Sequence, residues 1–435
     1  MKWFVGAGLL LLLSQLIQSD MLAYAMYTLM TLMIISRVLA QSWIAHLTAA
    51  RHCNRLTAEV GETVAVHVTV RNQGKLPVPW VLLEDVLPQR ALHKPPFGLR
   101  LTGNSLKLAV LRSNQSKTMN YQLECHRRGY FQLGPTVLET GDLFGLHRRY
   151  RVGDHPNYLM VYPKIIPLQG FDIASRRPIG EVKMSYRLFE DPTRIAGIRR
   201  YAMGDPLNRI HWRASARTGQ LHSKIYEPTT VAGVTLLLEF HEQAYDPADE
   251  PVRSELAVTT AASIANAVQQ MGQQVGLISN GRDAADRIRQ QELGDQATTR
   301  QQARNAGSML EESDRLQPLI IDTRRNVEQM LRIRETLARI ELSDGLTLEQ
   351  LTIETVSRMP RDATVLAIIP RVDSSTAIAL GNLKRRGYAV AVILNTYDEI
   401  VFADASASLL AQGIPTYHLK NEASIPSVCQ NYLLR

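Results

Sequence analysis

Cysteine is scarce in this chain. Cys53, Cys125 and Cys429 are odd in number, widely spaced and form no Cys-x-x-Cys pair. That excludes a disulfide framework and a thioredoxin-like centre, and it fits a reducing compartment. His52-Cys53 and Cys125-His126 lack the neighbours that zinc-ligand spacing requires, so buried or idle thiols are the simpler reading. Aromatic residues make up only 6% and the basic residues are scattered, which argues against a nucleic-acid surface. Also missing are a nucleophile elbow, a Walker loop, a His-Glu-x-x-His helix and a glycine-rich dinucleotide turn. Their absence removes the commonest motif-borne routes to hydrolase, NTPase, zinc-protease and dehydrogenase chemistry, and the chain is expected not to be an enzyme.

Positive charge is missing locally: no Lys or Arg lies between Trp3 and Ser36. Two apolar runs fill that window, Trp3–Ile17 and Met21–Leu39, separated by Gln18, Ser19 and Asp20. A helix needs about 20 apolar residues to cross ~30 Å of hydrocarbon, and the first run reaches that only by using Gln18 and Ser19 at the interface. A signal peptide is the rival, because Lys2, Leu9–Leu13 and Ala23-Tyr24-Ala25 mimic its three regions. The apolar stretch continues past Ala25, so residues 1–40 are read as a transmembrane helical hairpin. Lys2 precedes it and Arg37, Arg51 and Arg55 follow it. The positive-inside rule then gives a multi-pass protein of the inner (cytoplasmic) membrane with its soluble domains in the cytoplasm.

The remainder has ordinary globular composition, 45% hydrophobic and 21% charged, with a modest net charge of +8. Residues 41–165 carry period-two patterning. Thr63–Val70 alternates apolar and polar, Asn72-Gln73-Gly74-Lys75 supplies a turn, and strand-like stretches recur at Trp80–Leu83, Leu106–Leu111, Thr118–Cys125 and Pro135–Thr140. Short strands at such spacing predict an antiparallel β-sandwich. Arg127–Pro135, then Thr140-Gly141-Asp142-Leu143-Phe144-Gly145-Leu146, read as glycine turns with Phe144 plugging a core.

From Gly233 onward strands and helices alternate. Strands are expected at Val234–Leu238, Gln274–Ser279, Thr364–Ile369 and Tyr388–Leu394. Helices are expected at Val252–Met271, Arg324–Ile340, Leu348–Ser357, Ser374–Arg386 and Ala403–Gln412, with Thr416–Leu419 closing the series. This predicts a Rossmann-like open parallel sheet covered on both faces over residues 233–435. A polar insertion near 282–316 reads as a flexible excursion. Between the two domains, residues 166–232 form a linker containing a distinctive segment.

That segment runs Ile198–Pro206, then Arg209-Ile210-His211-Trp212-Arg213-Ala214-Ser215-Ala216-Arg217, and closes on Leu221–Glu227. Gly204-Asp205-Pro206 is turn chemistry, and Trp212 has the bulk to seat a short helix on a sheet. Arg209, Arg213 and Arg217 recur every four residues and would share one helical face. Such a face suits a carboxylate row, a phosphate or an acidic partner surface; pairing of Asp205 with one arginine is the structural alternative. Asp205, Arg209, Trp212, Arg213 and Arg217 are therefore the candidate partner- or anion-binding residues. The order Gly-Asp, Arg-Ile-x-Trp-Arg, Ser-Ala-Arg and a strand ending in Glu resembles the defining motif of the domain of unknown function fifty-eight family, which the Arg127–Leu146 segment also resembles.

The resemblance implies a membrane-anchored protein with a von Willebrand A-like α/β domain, acting with a MoxR-type AAA+ ATPase as an interaction or assembly module. A von Willebrand A module holds Mg²⁺ through Asp-x-Ser-x-Ser after its first strand. Here Glu239-Phe240-His241-Glu242-Gln243 stands in that place, keeping one carboxylate and losing both hydroxyls. Asp373-Ser374-Ser375 offers oxygens from another loop or, more simply, caps the helix that follows. No cofactor is expected, and Glu239 and Asp373 are read as a degenerate metal site. The alternative is a metal-dependent hydrolase at the sheet's carboxyl edge using Glu239, His241 and Asp373.

Overall fold

A computed structural model of the 435-residue chain describes residues 20–93, 95–142, 147–167, 190–202, 210–228, 233–288, 299–305, 309–310, 317–361 and 363–428, together with Gly6, Gly8, Leu9, Leu12, Leu13 and Leu16. Two compact units result. The first comprises Met1–Lys164 with Gly281–Gln317 and Arg334–Gly345; the second comprises Ile165–Asn280, Pro318–Ile333 and Leu346–Arg435.

The first unit begins with helix α1 (Asp20–Ala45), the one helix among the described residues long and apolar enough to cross a membrane. The other half of the expected hairpin, Trp3–Ile17, falls largely outside the described residues. Strands β1 (Leu47–Cys53), β2 (Thr57–Glu59), β3 (Thr63–Asn72), β4 (Val78–Asp85), β5 (Leu99–Gly103), β6 (Leu106–Leu111), β7 (Ser116–Cys125), β8 (Gly129–Leu133), β9 (Thr136–Gly141), β10 (Arg148–Asp154) and β11 (Asn157–Tyr162) follow. They form sheets ordered β1-β3-β7-β5, β10-β9-β4-β6 and β2-β11-β8. Period two sets their faces: Val64, Val66, Val68 and Val70 of β3 and Met119, Tyr121 and Leu123 of β7 point into one core with Val81, Leu83, Leu111 and Leu138 of the second sheet. The strand readings of the sequence hold here. Gly141 is required by close approach, since a Cβ there would lie 2.8 Å from the His147 carbonyl oxygen and 2.9 Å from the Trp80 ring. The expected core role of Phe144 lies outside the described residues.

A buried guanidinium crosses this unit. Arg51 of β1 is ion-paired to Asp85 of β4, both side chains fully buried, with its Nε donating to Asp85 Oδ2 at 2.9 Å. The same guanidinium donates to the carbonyl oxygens of Leu133 and His155 and to Asn157 Oδ1 at 2.9–3.1 Å. Asp85 also accepts from Tyr121 Oη at 2.5 Å and Thr136 Oγ1 at 3.2 Å. Burial and the neighbouring carboxylate push the Tyr121 phenol far up, so it stays a donor. Cys53 and Cys125 are free thiols. Burial pushes Cys125 up to about 11 and Cys53 upward too, which leaves both protonated and unreactive at neutral pH.

The second unit contains β12 (Glu190–Arg200), helix α2 (Trp212–Thr218), β13 (His222–Pro228), β14 (Gly233–Leu238), α3 (Val252–Gln270) and β15 (Gln274–Ser279). The short strands β16 (Arg282–Asp283) and β18 (Ile340–Glu341) pair with each other in the first unit. The second continues with β17 (Leu319–Arg324), α4 (Gln329–Arg339, as far as Ile333), α5 (Leu348–Thr355), β19 (Ala363–Ile369), α6 (Ser374–Arg385), β20 (Ala389–Leu394), α7 (Glu399–Ala411) and β21 (Thr416–His418). The main sheet is ordered β17-β15-β14-β19-β20-β21. All its pairings are parallel except β15 with β17. The sheet is therefore mixed, a correction to the wholly parallel expectation. β14 lies at its centre with every residue buried, which is why Gly233–Leu238 reads as an unbroken apolar run.

Two further expectations are corrected. The helix expected from Arg324 begins only at Gln329, because Leu319–Arg324 is spent on the antiparallel edge strand. Its residues are half-buried, so they lack the continuous apolar signature of a central strand. Gly276 admits it: a Cβ there would meet Thr323 backbone nitrogen at 2.8 Å, and the β15–β17 register shifts at this point. The polar insertion is not a loose excursion in its described part. Residues 281–317 belong with the β-rich unit, where the short helix Arg300–Asn305 is tied to β4 by ion pairs of Arg300 (2.8 Å) and Arg304 with Glu84. Burial opposes ionisation of Glu84, but the two arginines outweigh it and hold its carboxyl below the usual range.

Breaking the central pair should be expensive. Arg51→Met leaves Asp85 charged and buried, and a loss of about 3–5 kcal/mol is expected. The double variant Arg51→Met with Asp85→Leu should recover much of it. Denaturant midpoints of the detergent-solubilised full chain check both, and equal losses for single and double variants would contradict this account.

Candidate functional site

The distinctive segment folds as a helix set against an antiparallel hairpin. β12 pairs with β13 from Arg200 opposite His222 through Ile198 opposite Lys224. Tyr201 N–H donates to the Leu221 carbonyl at 2.9 Å. His211 begins the helix, its Nδ1 accepting from Ala214 N–H at 3.0 Å. Ser215, buried, locks the other end: its Oγ donates to the His211 carbonyl at 3.1 Å and accepts from His222 N–H at 2.9 Å. Gly219 adopts φ +67° and closes α2 with its N–H on the Ser215 carbonyl. Ile210, 4% exposed, supplies the apolar contact.

Trp212 does not seat this helix. It stands 68% exposed at the first helical position, and Ser215 and Ile210 do the anchoring instead. Arg213 and Arg217 share one exposed face, as their spacing requires, and neither forms an ion pair among the described residues. Asp205 and Arg209 lie outside the described residues. Ile198 and Leu221 are also substantially exposed, at 45% and 48%. The described part of the segment is thus a rigid platform presenting an indole, two apolar side chains and unpaired guanidinium groups to solvent.

The second candidate lies where the strand order reverses, at the carboxyl ends of β14 and β19, the place at which open α/β sheets bind ligands. Glu239 follows β14 with its N–H on the Ile368 carbonyl at 3.1 Å, and its carbonyl accepts from Tyr245 Oη at 2.8 Å. Its carboxyl group is buried, and Oε2 has no hydrogen-bond partner. Burial chiefly, and then the charge of Asp373, push Glu239 up to about 8, against the opposing influence of Arg371. At neutral pH it is mostly the neutral acid. His241 caps the short turn Glu242–Ala244, accepting from Gln243 N–H at 3.2 Å. Asn280 accepts from Phe240 N–H at 2.6 Å and donates to the Leu346 carbonyl at 2.8 Å. Asp373 caps α6, accepting from Thr376 N–H at 2.7 Å and Ser375 Oγ at 2.9 Å. Burial opposes its ionisation, but these hydrogen bonds and Arg371 hold it below the usual carboxylate range.

These donors do not fit a hard divalent cation, which takes six or more oxygens with compensating charge. Glu239 offers one buried carboxyl, Asp373 is committed to its helix, and His241 and Gln243 replace the hydroxyls. Among the described residues no group of three or more His, Cys, Asp or Glu converges. The pattern of residues revealed one neighbour too few at this edge. Arg253, near the start of α3, is 3% exposed, lies 3.1 Å from the Tyr397 ring centroid and donates to Asn395 Oδ1 at 2.9 Å. An arginine beside a run of small helical residues carries no sequence signal of burial, because its partners come from β20 and β21 far along the chain.

The class defined so far is a two-unit protein with an apolar N-terminal helix, a β-rich unit of antiparallel sheets and a mixed α/β unit. A sequence model of the family described as Protein of unknown function DUF58 matches residues 197–308. The Uncharacterized protein YeaD of Bacillus subtilis (strain 168) is 25% identical over 296 residues, covering 65% of this chain and 70% of YeaD. The resemblance to the DUF58 family is thus supported, and the match begins at the segment that carries it. Among solved structures, the CARDB domain of the PF1109 protein from Pyrococcus furiosus is similar over 26% of this chain and 91% of its own, at 12% identity and a TM-score of 0.19. Proximal thread matrix protein 1 from the mussel byssus covers 47% of each chain at 8% identity and a TM-score of 0.29. Scores this low fix neither fold nor function.

Glu239 has a pH signature. Its folded-state pKa stands above its unfolded value, so the folded chain retains a proton that the unfolded chain releases. The stability this proton confers is complete below about pH 4.5 and is lost as pH rises to about 8. Glu239→Gln should remove that slope and leave the chain more stable at alkaline pH, by a few kcal/mol at most, on the order of one pKa unit per 1.4 kcal/mol. Melting temperatures of wild type and variant across this window test it; parallel curves would refute the buried acid.

Proposed function

We propose that this chain is a membrane-tethered interaction module that grips a protein partner through the exposed platform of its DUF58 segment. The observation that carries this reading is Trp212, 68% exposed on a helix whose opposite side is locked by Ser215, with Arg213 and Arg217 exposed beside it and without an ion pair among the described residues. Trp and Arg are the residues that most often dominate protein interfaces, and an exposed indole on a rigid frame loses little freedom when covered. The unpaired guanidinium groups favour an acidic surface on the partner. The partner implied by the family resemblance is a MoxR-type AAA+ ATPase.

The tether is supported by how α1 is built in. Met33, Ser36, Ala40, Trp43 and Ile44 are buried, and Ser36 Oγ donates to Asp142 at 2.5 Å. A cleaved signal sequence would take these side chains out of the fold, whereas a retained anchor keeps them. A von Willebrand A-like identity for the second unit is supported by the central β14, the reversal of strand order beside it and the position of Glu239 at its tip. A gripping role for that unit is supported by the exposed Trp212, Arg213 and Arg217 of its distinctive segment.

Capture of the ATPase by the detergent-extracted full chain, with and without nucleotide, tests the proposal. Trp212→Ala combined with Arg217→Glu should weaken capture about thirtyfold or more, by roughly 2 kcal/mol or more. Both positions are exposed, so the melting temperature should not move. Undiminished capture by the variant would remove the platform from the account, and repeated failure of the wild type would remove this partner.

A further inference from the structure

The first unit carries a second surface, where α1 leaves the sandwich. From Asp20 to Ile35 the helix is about 24 Å long at ~1.5 Å per residue, short of the ~30 Å of hydrocarbon that a spanning helix must cross. Yet Ser36 is already hydrogen-bonded to Asp142 at the end of the second sheet. On the opposite side of the helix Ile34, Ile35 and Val38 remain 51–61% exposed, so the apolar face continues alongside the sandwich. A membrane that covers this face reaches the level of Asp142.

The groups at that level match a headgroup layer. Asp142 and Glu139 are buried, at 2% and 3% exposure, and contribute no surface charge. Of their partners Arg148 faces outward, its side chain 60% exposed and paired with Glu139 at 3.3 Å, whereas His147, 15% exposed, pairs with Asp142 at 3.2 Å and Arg300 approaches Glu139 at 3.8 Å. Arg37 lies on the exposed side of the helix one residue beyond Ser36. Trp80, half-buried, donates its indole N–H to the Asp142 carbonyl at 3.3 Å. Basic side chains and an anchored indole around a helix exit are the residues that settle at a membrane–water interface. Arg151 fixes the geometry from below by donating to the Ala45 carbonyl at 2.8 Å, and β1 begins two residues later, so no flexible linker separates helix and sandwich.

We propose that the β10 edge of the sandwich, with Arg37, Arg148 and Trp80, is seated in the headgroup layer and binds anionic phospholipid. The sandwich is then held in one orientation on the membrane instead of swinging on a tether. This rests on α1 being a membrane helix, and the test separates the two. The full chain is reconstituted in vesicles of phosphatidylcholine alone or mixed with phosphatidylglycerol, floated on a density gradient, and followed by deuterium exchange over Arg148–Val152. The expected result is flotation with both vesicles but slower exchange only with phosphatidylglycerol, reversed by raised salt. A chain carrying Arg37→Gln and Arg148→Gln should float equally and lose this difference, on the order of tenfold for two basic groups. Failure to float overturns the membrane helix and the seat together. Flotation with identical exchange in both vesicles overturns the seat alone, and the wild-type comparison decides this even if the variant folds poorly.

Discussion

The first unit depends on one guanidinium. Arg51 reaches Asp85 of β4, the carbonyl at the end of β8, the β10–β11 connection and, through Asp85, Tyr121 of β7 and Thr136 of β9. It thereby joins all three sheets at a point with no access to water. Burying such a pair costs several kcal/mol per ion, and only full use of its hydrogen-bonding atoms offsets that cost. The use is extensive, which favours one arrangement of the sheets over alternatives that would strand a charge. Because Arg51 lies on the strand that follows α1 directly, the same contacts lie next to the end of the apolar helix.

The second unit is governed by a different constraint, the central strand β14. Covered on both faces, it leaves only its tip open to chemistry, and the tip holds a single buried carboxyl. Desolvation keeps that group neutral. The exposed arginines of this unit's distinctive segment are, by contrast, basic and solvent-facing. Function read from charge and exposure moves away from the sheet edge and toward the hairpin bearing Trp212.

What was legible in the sequence follows these two constraints. Strands with one buried face, such as Thr63–Asn72, announce themselves by alternation, and the buried parallel strands by unbroken apolar runs. The loss of hydroxyls after Glu239 was readable from residue type alone, whereas the reversal of strand order beside it was not. Features settled by distant partners were not. Leu319–Arg324 is an edge strand with no apolar signature, and it displaced the start of an expected helix. Residues 281–317 look like a solvated excursion by composition, but Arg300 and Arg304 find Glu84 more than two hundred positions earlier. Trp212 illustrates the opposite error: bulk suggests burial, whereas a two-residue anchor of Ile210 and Ser215 frees the indole.

The central claim is that the helix and hairpin bearing Trp212 are a gripping surface and the sheet edge at Glu239 is not. Deuterium exchange of the full chain in vesicles, with and without the proposed MoxR-type AAA+ ATPase, locates the contact directly. Protection confined to Ile210–Lys224, leaving the Glu239–Tyr245 loop unchanged, is the result this account predicts. Protection centred on Glu239 and Asp373 with the hairpin unaffected would contradict it.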